Sequence, residues 1–192
     1  MTKKAIGFTV VLISLIMAVP LSAKGPGAGK NDSSPGTLAD TEIEHITCIR
    51  QEEKLARDVY LTPYESYQAP IFDNISESEQ RHMDALKNLI DKHVLVDPVE
   101  DDTRGVFPVP DTDTATNFND LYTELVEKGE MGYCDALQVG IEIEVLDIGD
   151  IENALNDENV VARDVTRVFS NLLNGSYNHL NAFTSRYEAN CE

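Results

Sequence analysis

The sequence contains no tryptophan and only three cysteines, none in a CxxC pair, so neither a zinc ribbon nor a thioredoxin-type dithiol is available. Positive charge is scarce as well: 15 lysines and arginines face 34 acids, for a formal charge of −19. A surface this acidic repels nucleic acid and anionic lipid and attracts cations, which excludes nucleic acid as a partner. No phosphate-binding loop, dinucleotide fingerprint or Ser-His-Asp arrangement appears, so no organic cofactor is expected. Strand pairs and internal repeats are also missing, leaving an all-α class.

Long apolar runs are absent apart from residues 7–19, too short for a spanning helix. Lys3 and Lys4 precede this run, and Pro20, Leu21, Ser22 and Ala23 close it. That order reads as a signal peptide over residues 1–23, although Leu21 fits the small-residue position poorly. The chain is then expected to be exported, periplasmic or extracellular, with no stable membrane insertion once the segment is removed. Removal takes away two lysines and no acid, moving the charge from −19 to −21. In an exported chain three cysteines read as one disulfide and one thiol. Residues 24–39, rich in Gly, Ser and Pro, read as a flexible linker, and residues 40–190 form the domain.

Within the domain, Thr41 and Glu44 form a capping-box signature for a first helix reaching Pro63 or slightly beyond. Pro70 suits the first turn of a second helix through Leu89. Residues 97–116 carry Pro98, Gly105, Pro108 and Pro110 and read as a long loop, followed by a short helix at 117–128. Two further helices are expected at 133–155 and 159–188. A bundle with one long crossover accommodates such a loop between its second and third main helices.

Polar residues on the apolar stripes are the informative ones. Glu53 lies between Ile49 and Ala56, and Glu79 and His82 lie between Ile75 and Leu86. Glu144 and Asp147 fall on the third main stripe, and His179 lies between Leu172 and Phe183. An unpaired buried carboxylate costs several kcal/mol. Four carboxylates and two imidazoles have no matching supply of buried cations, because Arg57 and Arg81 point elsewhere by helical phase. A pair of divalent metal ions offsets that charge, and oxygen ligands with imidazole suit iron or manganese. The competing reading is a hydrogen-bonded polar core without metal. His45 and His93 read as solvated helix-end residues, and the acidic loop around Asp101, Asp102, Asp111 and Asp113 lacks EF-hand spacing.

The segment EKLARDVY at residues 53–60 resembles the first-helix ligand motif of rubrerythrins, and EQRH at 79–82 is similar to their second-helix Glu-x-x-His. Residues 52–90, with segments around 136–155 and 171–183, resemble a family of ferritin-like domains without an established function. The resemblance spans about residues 42–187 and implies a ferritin-like four-helix bundle. It makes Glu53 a terminal ligand, Glu79 a bridging ligand and His82 a nitrogen ligand. Glu144 becomes the third-helix glutamate, Asp147 a second acid and His179 the last-helix histidine. Ser176 stands where the family pattern has Glu, which leaves Asp147 to supply the missing oxygen or the site to hold a single ion. Tyr60, two turns after Glu53, is placed to hydrogen-bond a ligand or relay an electron, or to serve as a plain core tyrosine.

In a bundle of that kind the first and last helices run one way and the middle two the other. Cys134 and Cys191 then lie roughly 15–18 Å from the ligand layer toward one end, while Cys48 lies about 7–8 Å to the other side. A Cys134–Cys191 disulfide and a free Cys48 are expected. The implied activity is that of a non-haem di-iron or di-manganese redox protein acting on oxygen or peroxide. Lacking an iron–sulfur cysteine cluster, it would take electrons from an external donor. The alternative is a metal-handling or structural bundle without turnover. Ferritin-like bundles often dimerise, so a homodimer is expected by analogy.

Overall fold

The computed structural model describes residues 37–109 and 116–191. The expected signal peptide, nearly all of the linker, and Asp111 and Asp113 lie outside them. Five helices follow in order: α1 (Asp40–Tyr67), α2 (Pro70–His93), α3 (Phe118–Gly129), α4 (Tyr133–Asn156) and α5 (Arg163–Cys191). Among the described residues there is no strand, and no helix is long and apolar enough to cross a membrane.

Local chemistry sets the helix ends. At the start of α1 the capping carboxylate is Glu42, whose Oε2 accepts from Ala39 N at 2.9 Å, two residues earlier than the expected Thr41–Glu44 pair. Glu42 prevails because its other oxygen accepts from Val161 N and Ala162 N at 2.8 and 2.7 Å. One buried side chain thus caps α1 and holds the loop before α5. That loop, in which Asp157 Oδ1 also accepts from Asn159 N, delays α5 from the expected residue 159 to Arg163. Pro70 occupies the first turn of α2, and Asn117 caps α3 by accepting from Asn119 N and Asp120 N.

Helix α1 packs on α2 and α4, α5 packs on α4 and α2, and α3 lies against α1 and α4. The buried side chains divide into two apolar clusters. One gathers Tyr60, Phe72, Leu137 and Phe183; the other gathers Ile46, Leu86, Ile151 and Phe169. Along α1 and α5 the chain runs from the second cluster to the first, and along α2 and α4 it runs the opposite way. Helix α2 therefore ends at the far end from the start of α4, and the connection must travel the length of the molecule. The disulfide joins Cys134 to Cys191 where α4 begins and α5 ends, as expected, and Cys48 is unpaired.

The travelling segment is held against the outer face of α1 by buried charge. Lys54 Nζ reaches Asp58 Oδ2 at 2.5 Å and Thr103 O at 2.9 Å, and it lies 4.5 Å above the Phe107 ring. Asp58 also accepts from Gly105 N at 2.9 Å and from Arg57, which in turn holds Asp102 at 2.7 Å. Asp102 is thereby committed to an arginine. Gly105 has a φ of +71°, and the Tyr122 ring occupies the space of a Cβ there, so only glycine fits. Asp58→Ala leaves buried Lys54 without a carboxylate and Arg57 with Asp102 alone. Urea titration is expected to show a loss of about 3–5 kcal/mol; a loss within the range of ordinary surface changes would show that Lys54 and Arg57 find other partners.

Candidate metal centre

Helices α1, α2, α4 and α5 deliver polar residues to the layer between the two apolar clusters. Glu53 of α1, Glu79 of α2 and Glu144 of α4 are buried, at 1%, 2% and 2% exposure, and Asp147, Ser176 and His179 are buried with them. His82 is nearly so. All six sequence-predicted ligands, with Tyr60 beside them, thus come to one region.

Glu79 stands at the centre. Its Oε2 is 2.8 Å from His82 Nδ1, and its Oε1 is 2.8 Å from His179 Nδ1. Glu53 Oε2 approaches the same His82 nitrogen at 3.1 Å, and Glu144 Oε2 approaches His179 Nδ1 at 3.5 Å. The imidazoles stack with centroids 5.5 Å apart. Two triads result, Glu53–Glu79–His82 and Glu79–Glu144–His179, each with donor atoms within 4.8 Å of one another. They share Glu79.

Hydrogen bonding leaves this cluster incomplete. Glu53 Oε1, Glu79 Oε1, Asp147 Oδ1 and His179 Nδ1 are buried without a hydrogen-bond partner. Glu79 Oε1 and His179 Nδ1 are close but not aligned to bond each other. Atoms that converge without bonding suit a common centre between them. Tyr60 Oη donates to Glu144 Oε1 at 2.7 Å, and Ser176 Oγ meets Asp147 Oδ2, which fixes one Asp147 oxygen and leaves the other unpartnered.

Without metal the cluster relieves its charge with protons. Burial pushes Glu53 and Asp147 well above the usual carboxylate range, with neighbouring carboxylates adding to the effect. Burial and the charge of Glu79 raise Glu144 to about 7. Burial opposes ionisation of Glu79 too, yet His179 and His82 hold it at about 2. Against burial, Glu53 and Glu79 raise His82 to about 11, and Glu144 and Glu79 raise His179 to about 9. Two divalent ions would balance four carboxylates with both imidazoles neutral, so the donor set fits the group.

Sequence reasoning missed three features. Glu52 lies beside Cys48 Sγ at 3.4 Å and leaves Oε2 buried and unpartnered; burial and Asp150 raise its carboxyl. Gly175 is the second, because a Cβ there would stand 2.5 Å from His82 Nε2. Along the chain it is only a glycine in mid-helix, one residue before Ser176. Gly175→Ala is expected to push the His82 ring off its carboxylates and weaken metal binding by roughly 10–100-fold, the scale seen when a ligand's support is lost. Calorimetric titration beside wild type measures this; unchanged affinity would show His82 to be dispensable. The third feature corrects a reading. His45 and His93 are not solvated: they reach Asp157 at 3.4 Å and Asp164 at 2.8 Å, because the ends of α1 and α2 meet the loop and first turn of α5.

Residues 42–192 match the family described as "Uncharacterized protein domain (DUF2202)". An uncharacterized protein of Methanocaldococcus jannaschii, MJ0754, is 47% identical over 146 residues, covering 76% of this chain and 75% of that protein. The crystal structure of hypothetical protein MJ0754 from Methanococcus jannaschii is similar with a TM-score of 0.73 at 42% identity, covering 87% of this chain and 86% of that one.

Proposed function

The chain belongs to the DUF2202 family, and from that premise we propose an exported, ferritin-like four-helix protein that binds a pair of metal ions, iron or manganese, for redox chemistry on oxygen or peroxide. One observation carries this reading: the two oxygens of Glu79 face different imidazoles, each backed by its own terminal carboxylate. A carboxylate so placed would bridge two half-sites, the pattern of bundle di-metal centres. His82 and His179 would bind through Nδ1, Glu53 and Glu144 would serve as terminal ligands, and Asp147 would offer its free oxygen where Ser176 replaces a glutamate. Bound iron would supply the open coordination and electron exchange that oxygen or peroxide reduction needs. The protein holds the ligands in a dry layer, and Tyr60 orients Glu144. The signal-like first 23 residues and the Cys134–Cys191 disulfide support export.

Anaerobic titration with ferrous iron and elemental analysis is expected to give two ions per chain, and peroxide is expected to oxidise them. A second reading, metal handling without turnover, is favoured by the position of an open cavity lined by Leu38, Glu42, His93, Val161 and Asp164, whose lining includes none of the six candidate ligands. Bound iron that peroxide oxidises only once, with no reductant restoring it, would select that reading. Absence of binding at any ratio would defeat both.

A further inference from the structure

Aromatic side chains are divided unevenly about the carboxylate layer. On the Ile46 and Ile151 side the core is aliphatic apart from Phe169. On the other side, six of the chain's seven tyrosines are buried in the core or packed on it. Their rings form an unbroken series. Tyr60 lies 5.1 Å from Phe183 by centroids, Phe183 lies 5.8 Å from Phe72, and Phe72 lies 6.2 Å from Tyr133. Tyr133 lies 5.7 Å from Tyr67. Every step falls within the range of interacting aromatic pairs. The inner end is hydrogen-bonded to Glu144, whereas Tyr133 and Tyr67 are half-buried at the end of the molecule bearing the disulfide. Gly140 keeps the series closed: a Cβ there would come within 2.7 Å of the Phe183 ring.

We propose that these rings form a one-electron path between the surface at Tyr133 and Tyr67 and the carboxylate site at Tyr60. Its use in turnover rests on the redox reading above, but its existence does not. Peroxide at the site accepts one electron from Tyr60, whose O–H bond breaks as the proton moves to Glu144 Oε1. The phenoxyl left behind is neutral, so burial does not oppose it as it would a charge. An electron from Tyr133 then restores Tyr60, bridged by Phe72 and Phe183; the Tyr60 proton returns from Glu144, and the half-buried Tyr133 hydroxyl gives its proton to solvent until it is reduced again. A one-electron carrier at the surface refills Tyr133. Two such deliveries with two protons convert one peroxide to two waters. Glu130 and Asp135 set negative charge beside Tyr67, so the carrier presents a positive face.

The test uses the full chain without added metal. Flash-generated tris(bipyridine)ruthenium(III), a cationic one-electron oxidant, draws an electron from the surface tyrosines, and the radical is followed by absorbance and electron paramagnetic resonance. In wild type the radical is expected to settle on Tyr60 and persist; Tyr60→Phe removes this long-lived signal. Phe183→Leu and Phe72→Leu each slow its appearance about tenfold, a barrier change of about 1.4 kcal/mol, at unchanged metal stoichiometry. If Phe183→Leu fails to fold, Phe72→Leu alone decides. A Tyr60 radical that forms equally fast in either leucine variant, or no Tyr60 radical in wild type, overturns the path. Tight metal binding without that radical sinks the path and leaves the metal site standing; the radical without metal binding does the reverse.

Discussion

Replacing Glu79 with alanine is expected to abolish both metal-binding events together, whereas Glu53→Ala or Glu144→Ala removes one and spares the other. The asymmetry follows from the shared carboxylate. His82 and Glu53 complete one triad and His179 and Glu144 the other, but each triad contains Glu79. Loss of groups that merely support a ligand weakens metal binding roughly 10–100-fold. Removing a direct ligand exceeds that, and removing one common to both half-sites exceeds it twice. Glu77, on the exposed face of α2, gives the control: Glu77→Ala makes the same change in charge and leaves both events intact. Glu79→Gln separates charge from shape, since it keeps a group between the imidazoles but cannot carry the negative charge. Ferrous titration with elemental analysis reads all five variants. If Glu53→Ala and Glu79→Ala lose the same number of ions, Glu79 is not a bridge.

The order of the helices and the convergence of the buried carboxylates and imidazoles were legible in the sequence because both rest on local period. Glu53, Glu79, Glu144 and His179 each interrupt an apolar stripe, and the stripe alone shows that the side chain points inward. The Lys54–Asp58 network was not legible, because that reasoning assigns one buried stripe to a helix. Every residue from Glu53 to Tyr60 is buried, since the segment after α2 covers the outer face of α1 as it crosses to α4. The spacing Lys54, Arg57, Asp58 looks like a solvated face until that segment is placed over it. Gly175 was opaque for a related reason. Its importance comes from the ring of His82 on another helix, and no pattern along α5 carries that information. The capping of α1 likewise fell to Glu42 rather than Glu44, because Glu42 also accepts from the backbone of the loop before α5.

The metal-free protein is expected to lose stability as the pH rises from the carboxylate range toward about 9, the reverse of a protein stabilised mainly by salt-bridged acids. His179 is held at about 9 against an ordinary value of 6.5. Below 6.5 folded and unfolded chains are both protonated and the stabilisation is complete; above it the unfolded chain sheds its proton first, and the stabilisation is gone once the pH passes the folded value. His82, at about 11, extends the same loss further. Glu144, raised to about 7, acts in the same direction, since its buried carboxyl resists giving up a proton that the unfolded chain releases near 4.5. Within the cluster only Glu79 opposes: lowered to about 2, it adds stability above 4.5 that is lost as the pH falls toward its folded value, below the range in which the others act. Each proton bound in excess by the folded chain gives a slope of about 1.4 kcal/mol per pH unit. Divalent metal competes for the same atoms, so its stabilisation grows with pH and opposes the metal-free trend. Melting followed by circular dichroism, suited to a chain without tryptophan, should show metal-free and metal-loaded curves diverging as the pH is raised. A metal-free melting temperature that climbs between about pH 5 and 8 would show that these acids and imidazoles are not confined together in a dry layer.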